Sequence, residues 1–190
     1  MLFRSNFLFG RDRAGTYTLL KALGEDRGFR ADKIDPVFYK DFVVSSTRVR
    51  RLVAEGRVDE AAALLGRQVF IDGVVVQGDQ RGRTLGFPTA NLRTENELLP
   101  AYGVYATIAI LNGVYHPAVT SIGVRPTIGG GPVTVETFLL EHNADLYGQR
   151  MRLVFVARLR DELAFPSLDA LRIQLADDIT AVRAALPPTP

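Results

Sequence analysis

Hydrophobic and polar positions along the chain follow two periods, and the change between them falls near residue 66. Before it, apolar residues recur at helical spacing. Leu19, Leu20 and Leu23 precede Gly24 and Gly28; Val49, Leu52 and Val53 share one face that ends at Gly56; a short helix from Val58 to Leu65 stops at Gly66. Ser46 or Thr47 is placed to cap the second of these helices. Residues 1–48 otherwise offer one helix and two scraps of strand, which cannot bury a core of their own.

Beyond residue 66 the β-branched content rises and the period becomes two. Val69–Val76, Gly103–Leu111, Val119–Gly123, Val133–Glu141 and Met151–Leu159 read as strands, and Asn112-Gly113 ahead of Val114-Tyr115 is a two-residue hairpin signal of type I′. In the last strand Met151, Leu153, Phe155, Ala157 and Leu159 alternate with a wet face carrying Arg150, Arg152 and Arg158. The chain then returns to the helical period. Ser167 caps a helix whose Leu168, Leu171, Leu175, Val182 and Leu186 form one stripe, and Pro187-Pro188 stops it. Short consecutive strands joined by turns predict a small antiparallel barrel, with the apolar stripe of the helix lying across it.

With 190 residues, 47% hydrophobic and 23% charged, the chain is long enough for one ordinary domain plus part of another, and it has the composition of a globular protein. The net charge of +2 carries no long Lys/Arg block, so nucleic acid is not an expected partner, whereas a basic pocket for small anions fits. The absence of cysteine excludes disulfides, thiolate metal sites and a cysteine nucleophile, and it suits a reducing cytoplasm. No apolar run approaches the roughly 20 residues of a membrane span, and the first residues lack the apolar core of a signal peptide. No membrane association is expected.

One stretch concentrates chemistry. Gly78, Gly82 and Gly86 let a ligand approach bare backbone, and Arg81 and Arg83 offer charged forks suited to phosphate oxygens. Pro88 turns the chain, so that Thr89 and Asn91, two apart on an extended segment, point the same way with a hydroxyl and an amide able to hold Mg²⁺ and phosphate oxygens. The stretch is not a Walker A loop, because no Gly-Lys-Ser/Thr follows. Within Val133–Glu141, Glu136 shares a face with Phe138 and Leu140, a single carboxylate on an otherwise apolar surface; an ion pair with one of the arginines is its ordinary explanation. Arg125 either binds phosphate or packs its stem over an aromatic ring. His116 and His142, the only histidines, lack the neighbours of a metal site and read as surface residues.

Read together, Gly82 to Leu92 (GRTLGFPTANL) resembles the signature of the bacterial riboflavin kinase family. The similarity continues through Leu99-Pro100, Gly103-Val104-Tyr105, Ile122-Gly123-Val124-Arg125-Pro126-Thr127, Glu136, Leu146-Tyr147-Gly148 and Arg160-Asp161-Glu162 with Phe165. Asn6-Phe7-Leu8-Phe9-Gly10 and Ser45-Ser46-Thr47-Arg48-Val49-Arg50 look like the last two motifs of the FMN adenylyltransferase module that precedes the kinase in the bifunctional enzymes. The chain departs from the family at Ile128, where an aromatic is more usual, and at Glu141-His142, both on the flavin side.

The resemblance implies a mainly β protein: a six-stranded antiparallel Greek-key barrel over residues 67–190 with a C-terminal helix, preceded by residues 1–66 as the remnant of an α/β nucleotidyltransferase domain. It implies transfer of the γ-phosphoryl group of ATP to the 5′-hydroxyl of riboflavin, giving FMN and ADP, with Mg²⁺ as cofactor and the small molecules riboflavin and ATP as partners. Glu136 would be the general base. Gly78, Gly82, Arg83, Gly86, Pro88, Thr89 and Asn91 would meet nucleotide phosphates, Thr89 and Asn91 the metal, and Arg125, Tyr147, Arg160 and Phe165 the flavin. Asn6, Ser45, Ser46, Thr47 and Arg48 would be what remains of the transferase nucleotide site. Its His-x-Gly-His element has no counterpart here, so FAD synthesis is not expected. The chain stands either as part of a longer bifunctional enzyme or as a natural remnant. A non-catalytic flavin-binding barrel is the alternative, against which Glu136, Thr89 and Asn91 speak.

Overall fold

The computed structural model describes residues 2–4, 8–78, 87–124, 131–140, 142 and 145–186. The chain divides into two compact units, Met1–Ser45 and Ser46–Pro190.

In the first unit, β1 (Leu2–Arg4) and β2 (Asp32–Ile34) pair in parallel through α1 (Tyr17–Arg27), and β3 (Phe38–Tyr39) and β4 (Phe42–Val43) form a hairpin. Helix α1 runs past Gly24, because the bare Cα there receives the carbonyl and ring of Phe29, and the helix ends at Gly28 with φ 72°.

In the second unit, α2 (Ser46–Ala54) and α3 (Val58–Leu65) precede six strands: β5 (Val69–Val76), β6 (Thr89–Thr94), β7 (Gly103–Leu111), β8 (Val114–Val124), β9 (Val133–Leu139) and β10 (Arg150–Arg160). They close into a barrel in the order β10-β5-β6-β9-β8-β7, every pairing antiparallel. Strands β7, β8 and β9 form a meander, and β6 reaches the far side of β9, which is the Greek-key crossing. The β7–β8 hairpin turns on Asn112 (φ 50°) and Gly113 (φ 83°), the two positive φ values a type I′ turn requires.

Leu52, Val53, Val58 and Ala61 belong to the same buried cluster as Ile71, Tyr105 and Phe155 of the barrel interior. Helices α2 and α3 thus pack with the barrel, inside the compact unit that begins at Ser46. The composition changes where α3 gives way to β5, which is a change of period and not of core. Ser46, Thr47 and Arg48 form the first turn of α2.

Among the described residues the interior of the barrel carries three buried threonine hydroxyls. Thr107 Oγ1 donates to the Ala118 carbonyl at 3.1 Å, which commits its one proton; Thr120, 2.7 Å away, must then donate to Thr107, and Thr137, 3.0 Å further, to Thr120. All three protons are placed, and the chain fixes β7, β8 and β9 in register.

Strand β10 departs from strict alternation. Met151, Leu153 and Phe155 face inward, but register shifts between Phe155 and Ala157 and between Arg158 and Arg160 turn Ala157 and Leu159 to the outer cluster. Arg158 leaves the wet face expected for it. Its guanidinium donates to the Tyr102 carbonyl at 2.7 Å and reaches Asp161 at 2.5 Å.

The last helix, α4 (Leu168–Ala185), begins at Ser167, whose hydroxyl accepts from the Ala170 N–H at 3.1 Å. It packs over the outer face of the barrel, where Val182 joins Val104, Ala106 and Val119. Leu168 is 63% exposed and does not belong to the buried stripe. Asp178 does, at 3% exposure. Among the described residues no helix is long and apolar enough to cross a membrane.

Candidate active site

The register of three adjacent strands assembles the site. Asn91 on β6 pairs with Glu136 on β9, and Glu136 pairs with Ser121 on β8; the next row along is Thr89, Phe138 and Val119. Because β9 alternates, Val135, Thr137 and Leu139 fill the barrel while Glu136 and Phe138 face outward and are half-buried. Thr89 and Asn91 share that outward face, as their two-residue spacing predicts.

This face forms the floor of a cavity of about 260 Å³ beneath α4. Thr89, Ser121, Glu136 and Phe138 lie on the floor, Leu171 and Leu175 on the helix side, and Glu162, Leu163 and Phe165 in the segment joining β10 to α4. Phe87 meets Phe138 edge to face at 5.4 Å, carrying the apolar surface toward the Gly-rich stretch. The walls are largely apolar, with a few polar groups set among them, as in small-molecule sites.

Those polar groups differ in their commitments. Arg160 is bound bidentately by Asp178, Nε to Oδ1 at 2.9 Å and Nη2 to Oδ2 at 2.7 Å. Its Nη1 donates to the Asp161 carbonyl at 2.9 Å, and Gln174 donates to Asp178 at 3.1 Å. By contrast, the Glu136 carboxylate makes no ion pair or hydrogen bond among the described residues. The ion pair that would ordinarily explain it is absent there.

Glycine matters at two edges of the cavity. A side chain at Gly78 would strike the amide of Asn91, so the bare backbone gives that amide its place. A side chain at Gly123 would strike the Glu162 carboxylate, which rests against β8 there.

Of the residues singled out from the sequence, Thr89, Glu136, Arg160 and Phe165 line one cavity, and Asn91 stands beside Glu136. Pro88 lies next to Thr89 at the start of β6. Tyr147 does not join them: it is half-exposed in the turn before β10, its N–H on Asp145 Oδ1 at 2.9 Å, with Gly148 bonded to the Val75 carbonyl. Gly82, Arg83, Gly86, Arg125 and Asn6 lie outside the described residues. Ser121 and Asp178 were missed. The first has no motif of its own, and the second sits among leucines on a helix stripe, where its spacing from Leu171, Leu175 and Val182 was the available signal.

The two histidines correct the sequence reading. Their rings meet edge to face at 4.8 Å, because β9 passes Pro117 (Leu140 N–H to the Pro117 carbonyl, 2.8 Å) and sets His142 beside His116. Burial, and then the charge of His142, hold the His116 imidazole below the usual histidine range. Among the described residues no three His, Cys, Asp or Glu side chains are grouped to hold a metal.

The sequence matches the family described as Flavokinase: Riboflavin kinase over residues 65–186. It is 39% identical to a bifunctional riboflavin kinase/FMN adenylyltransferase of Pseudomonas fluorescens over 97% of this chain and 60% of that protein. The Escherichia coli K12 protein of the same description is 39% identical over 93% of this chain and 57% of its own length. The chain thus spans about 60% of the length of these curated relatives. A crystal structure of a macrolide-efflux protein from Streptococcus pneumoniae is similar with TM-score 0.86 and 33% identity, covering 95% of this chain and 58% of that one. The family match runs from β5 through α4, taking in the whole barrel and every cavity residue, and by it this chain belongs to the riboflavin kinase family.

Proposed function

We propose that the chain phosphorylates riboflavin at the 5′-hydroxyl with ATP, releasing FMN and ADP. The observation that carries this reading is Glu136, a half-buried carboxylate with no partner among the described residues, facing a largely apolar cavity beside Thr89 and Asn91. A hydroxyl nucleophile needs orientation and a destination for its proton, and a carboxylate in hydrogen-bond reach supplies both. Glu136 accepts the 5′-hydroxyl proton as the new O–P bond forms and the bond from the γ-phosphorus to ADP breaks. Leu171, Leu175 and Phe165 suit an uncharged tricyclic ring and keep water from it. Arg160, neutralised by Asp178, holds the wall in place and is not free to take a phosphate.

The nucleotide reading rests on the other edge. Thr89 and Asn91 present a hydroxyl and an amide, the hard oxygen donors that suit Mg²⁺, and the place left open at Gly78 sets the Asn91 amide. When bound there, Mg²⁺ supplies charge stabilisation for the phosphates. Gly82, Arg83 and Gly86 belong to the same nucleotide-binding stretch of the sequence, and Arg125 and Tyr147 are assigned to flavin contacts. Residues 1–66, including Asn6, Ser45, Ser46, Thr47 and Arg48, are assigned to an adenylyltransferase remnant, and a cytoplasmic location suits an enzyme of these substrates.

Incubating the purified chain with Mg·ATP and riboflavin and separating the flavins tests the reading. FMN should accumulate and FAD should not, since no histidine precedes residue 116. Binding of riboflavin without FMN formation would favour the non-catalytic barrel, and FAD formation would overturn the remnant assignment.

A further inference from the structure

Ser121 stands directly across from Glu136 in the β8–β9 ladder, as Asn91 does in β6–β9. Directly opposed residues on one face of an antiparallel pair have Cβ atoms about 4.5–5.5 Å apart. The three residues therefore form one polar row across the strands, with Glu136 in the middle and Glu136 and Ser121 lining the cavity floor. Along its own strand Ser121 has only Val119 on one side and the bare Gly123 on the other, and its hydroxyl makes no hydrogen bond among the described residues. A half-buried hydroxyl set among valines, with no protein partner there, is placed to meet a ligand.

Resting on the reading of riboflavin as acceptor, we infer that Ser121 is a further substrate-contacting residue, bonding a hydroxyl of the ribityl chain other than the 5′-hydroxyl held at Glu136. The two edges of the row then divide the work: Asn91 faces the nucleotide side, Ser121 the polyol side. Polyol recognition is the specificity this adds, because the apolar walls alone recognise only the ring.

The experiment is a fluorescence titration of the whole chain, wild type, Ser121→Ala and Ser121→Thr, with riboflavin and with lumiflavin, which keeps the ring and lacks the ribityl chain. Wild type is first shown to convert riboflavin to FMN; failure there overturns the acceptor reading itself, separately from Ser121. Given turnover, Ser121→Ala should weaken riboflavin about five- to tenfold, the loss of one hydrogen bond. Lumiflavin affinity, the apparent KM for Mg·ATP and the melting temperature should not move, and Ser121→Thr should regain most of the riboflavin affinity. Equal losses for both flavins, or no loss for riboflavin, would overturn the inference. Ser121→Cys, close in size with a weak donor, carries the same expectation if alanine lowers the melting temperature.

Discussion

Arg160 and Asp178 face each other as a bidentate pair that ties β10 to the middle of α4, the carboxylate 3% exposed and the Arg160 side chain 17%. The pair lies at the edge of the cavity, so the same contact that docks the helix fixes one wall of the site.

Asp178→Ala should therefore lower stability by about 3 kcal/mol, because it leaves a largely buried guanidinium with only the Asp161 carbonyl as hydrogen-bond partner among the described residues. Replacing both partners, Arg160→Met with Asp178→Leu, should recover much of that loss, since the desolvation of two charges is removed with their attraction. Urea unfolding of the two variants checks this. Equal destabilisation by both would mean that the pair itself, and not an uncompensated charge, holds α4.

Gly78→Ala tests the nucleotide edge. The added methyl has no room beside the Asn91 amide, so Asn91 must turn away. The variant should raise the apparent Kd for Mg·ATP several-fold, as Asn91→Ala and Thr89→Ala should, with riboflavin binding less affected. Unchanged nucleotide affinity in all three would remove Thr89 and Asn91 from the metal and phosphate role.

Much of this was legible in the sequence for a physical reason. Period-two alternation fixes which face a residue takes, so Thr89 and Asn91 could be assigned to one face of their strand, and Glu136 and Phe138 to one face of theirs, before any pairing was known. Alternation failed where the ladder breaks: the register shift between Phe155 and Ala157 in β10 reverses Arg158, and nothing in MRLVFVARLR marks it. Register between strands distant in sequence was equally hidden, which is why Ser121 was not placed beside Glu136 nor His142 beside His116. Asp178 illustrates a third limit, since a carboxylate on an apolar stripe reads as a surface residue until its arginine is known.

The histidine pair carries a pH dependence. The His116 pKa in the fold lies below the ordinary value of about 6.5, so as pH falls the unfolded chain takes up the proton first. Stability from this group is complete above about 6.5 and declines as pH drops from there toward the folded pKa. The urea midpoint of wild type should fall between pH 7.5 and 5.5 by more than that of His116→Asn. Parallel declines in the two proteins would assign the effect to other groups.

Glu136→Gln separates chemistry from structure. The carboxylate makes no ion pair or hydrogen bond among the described residues, so the amide strands no arginine there, and its similar shape fits the same position on β9. The melting temperature should stay close to wild type. Only the proton acceptor is lost, and single-turnover FMN formation should drop by about 10²–10⁴-fold with riboflavin and Mg·ATP affinities little changed. Were Glu136 instead an ion-pair partner of an arginine beyond the described residues, the pattern would reverse: a large melting shift, about 3 kcal/mol or more, with the folded fraction turning over near normally. Measuring the thermal midpoint and single-turnover rate on one preparation decides between them, and near-normal turnover would take Glu136 out of the mechanism.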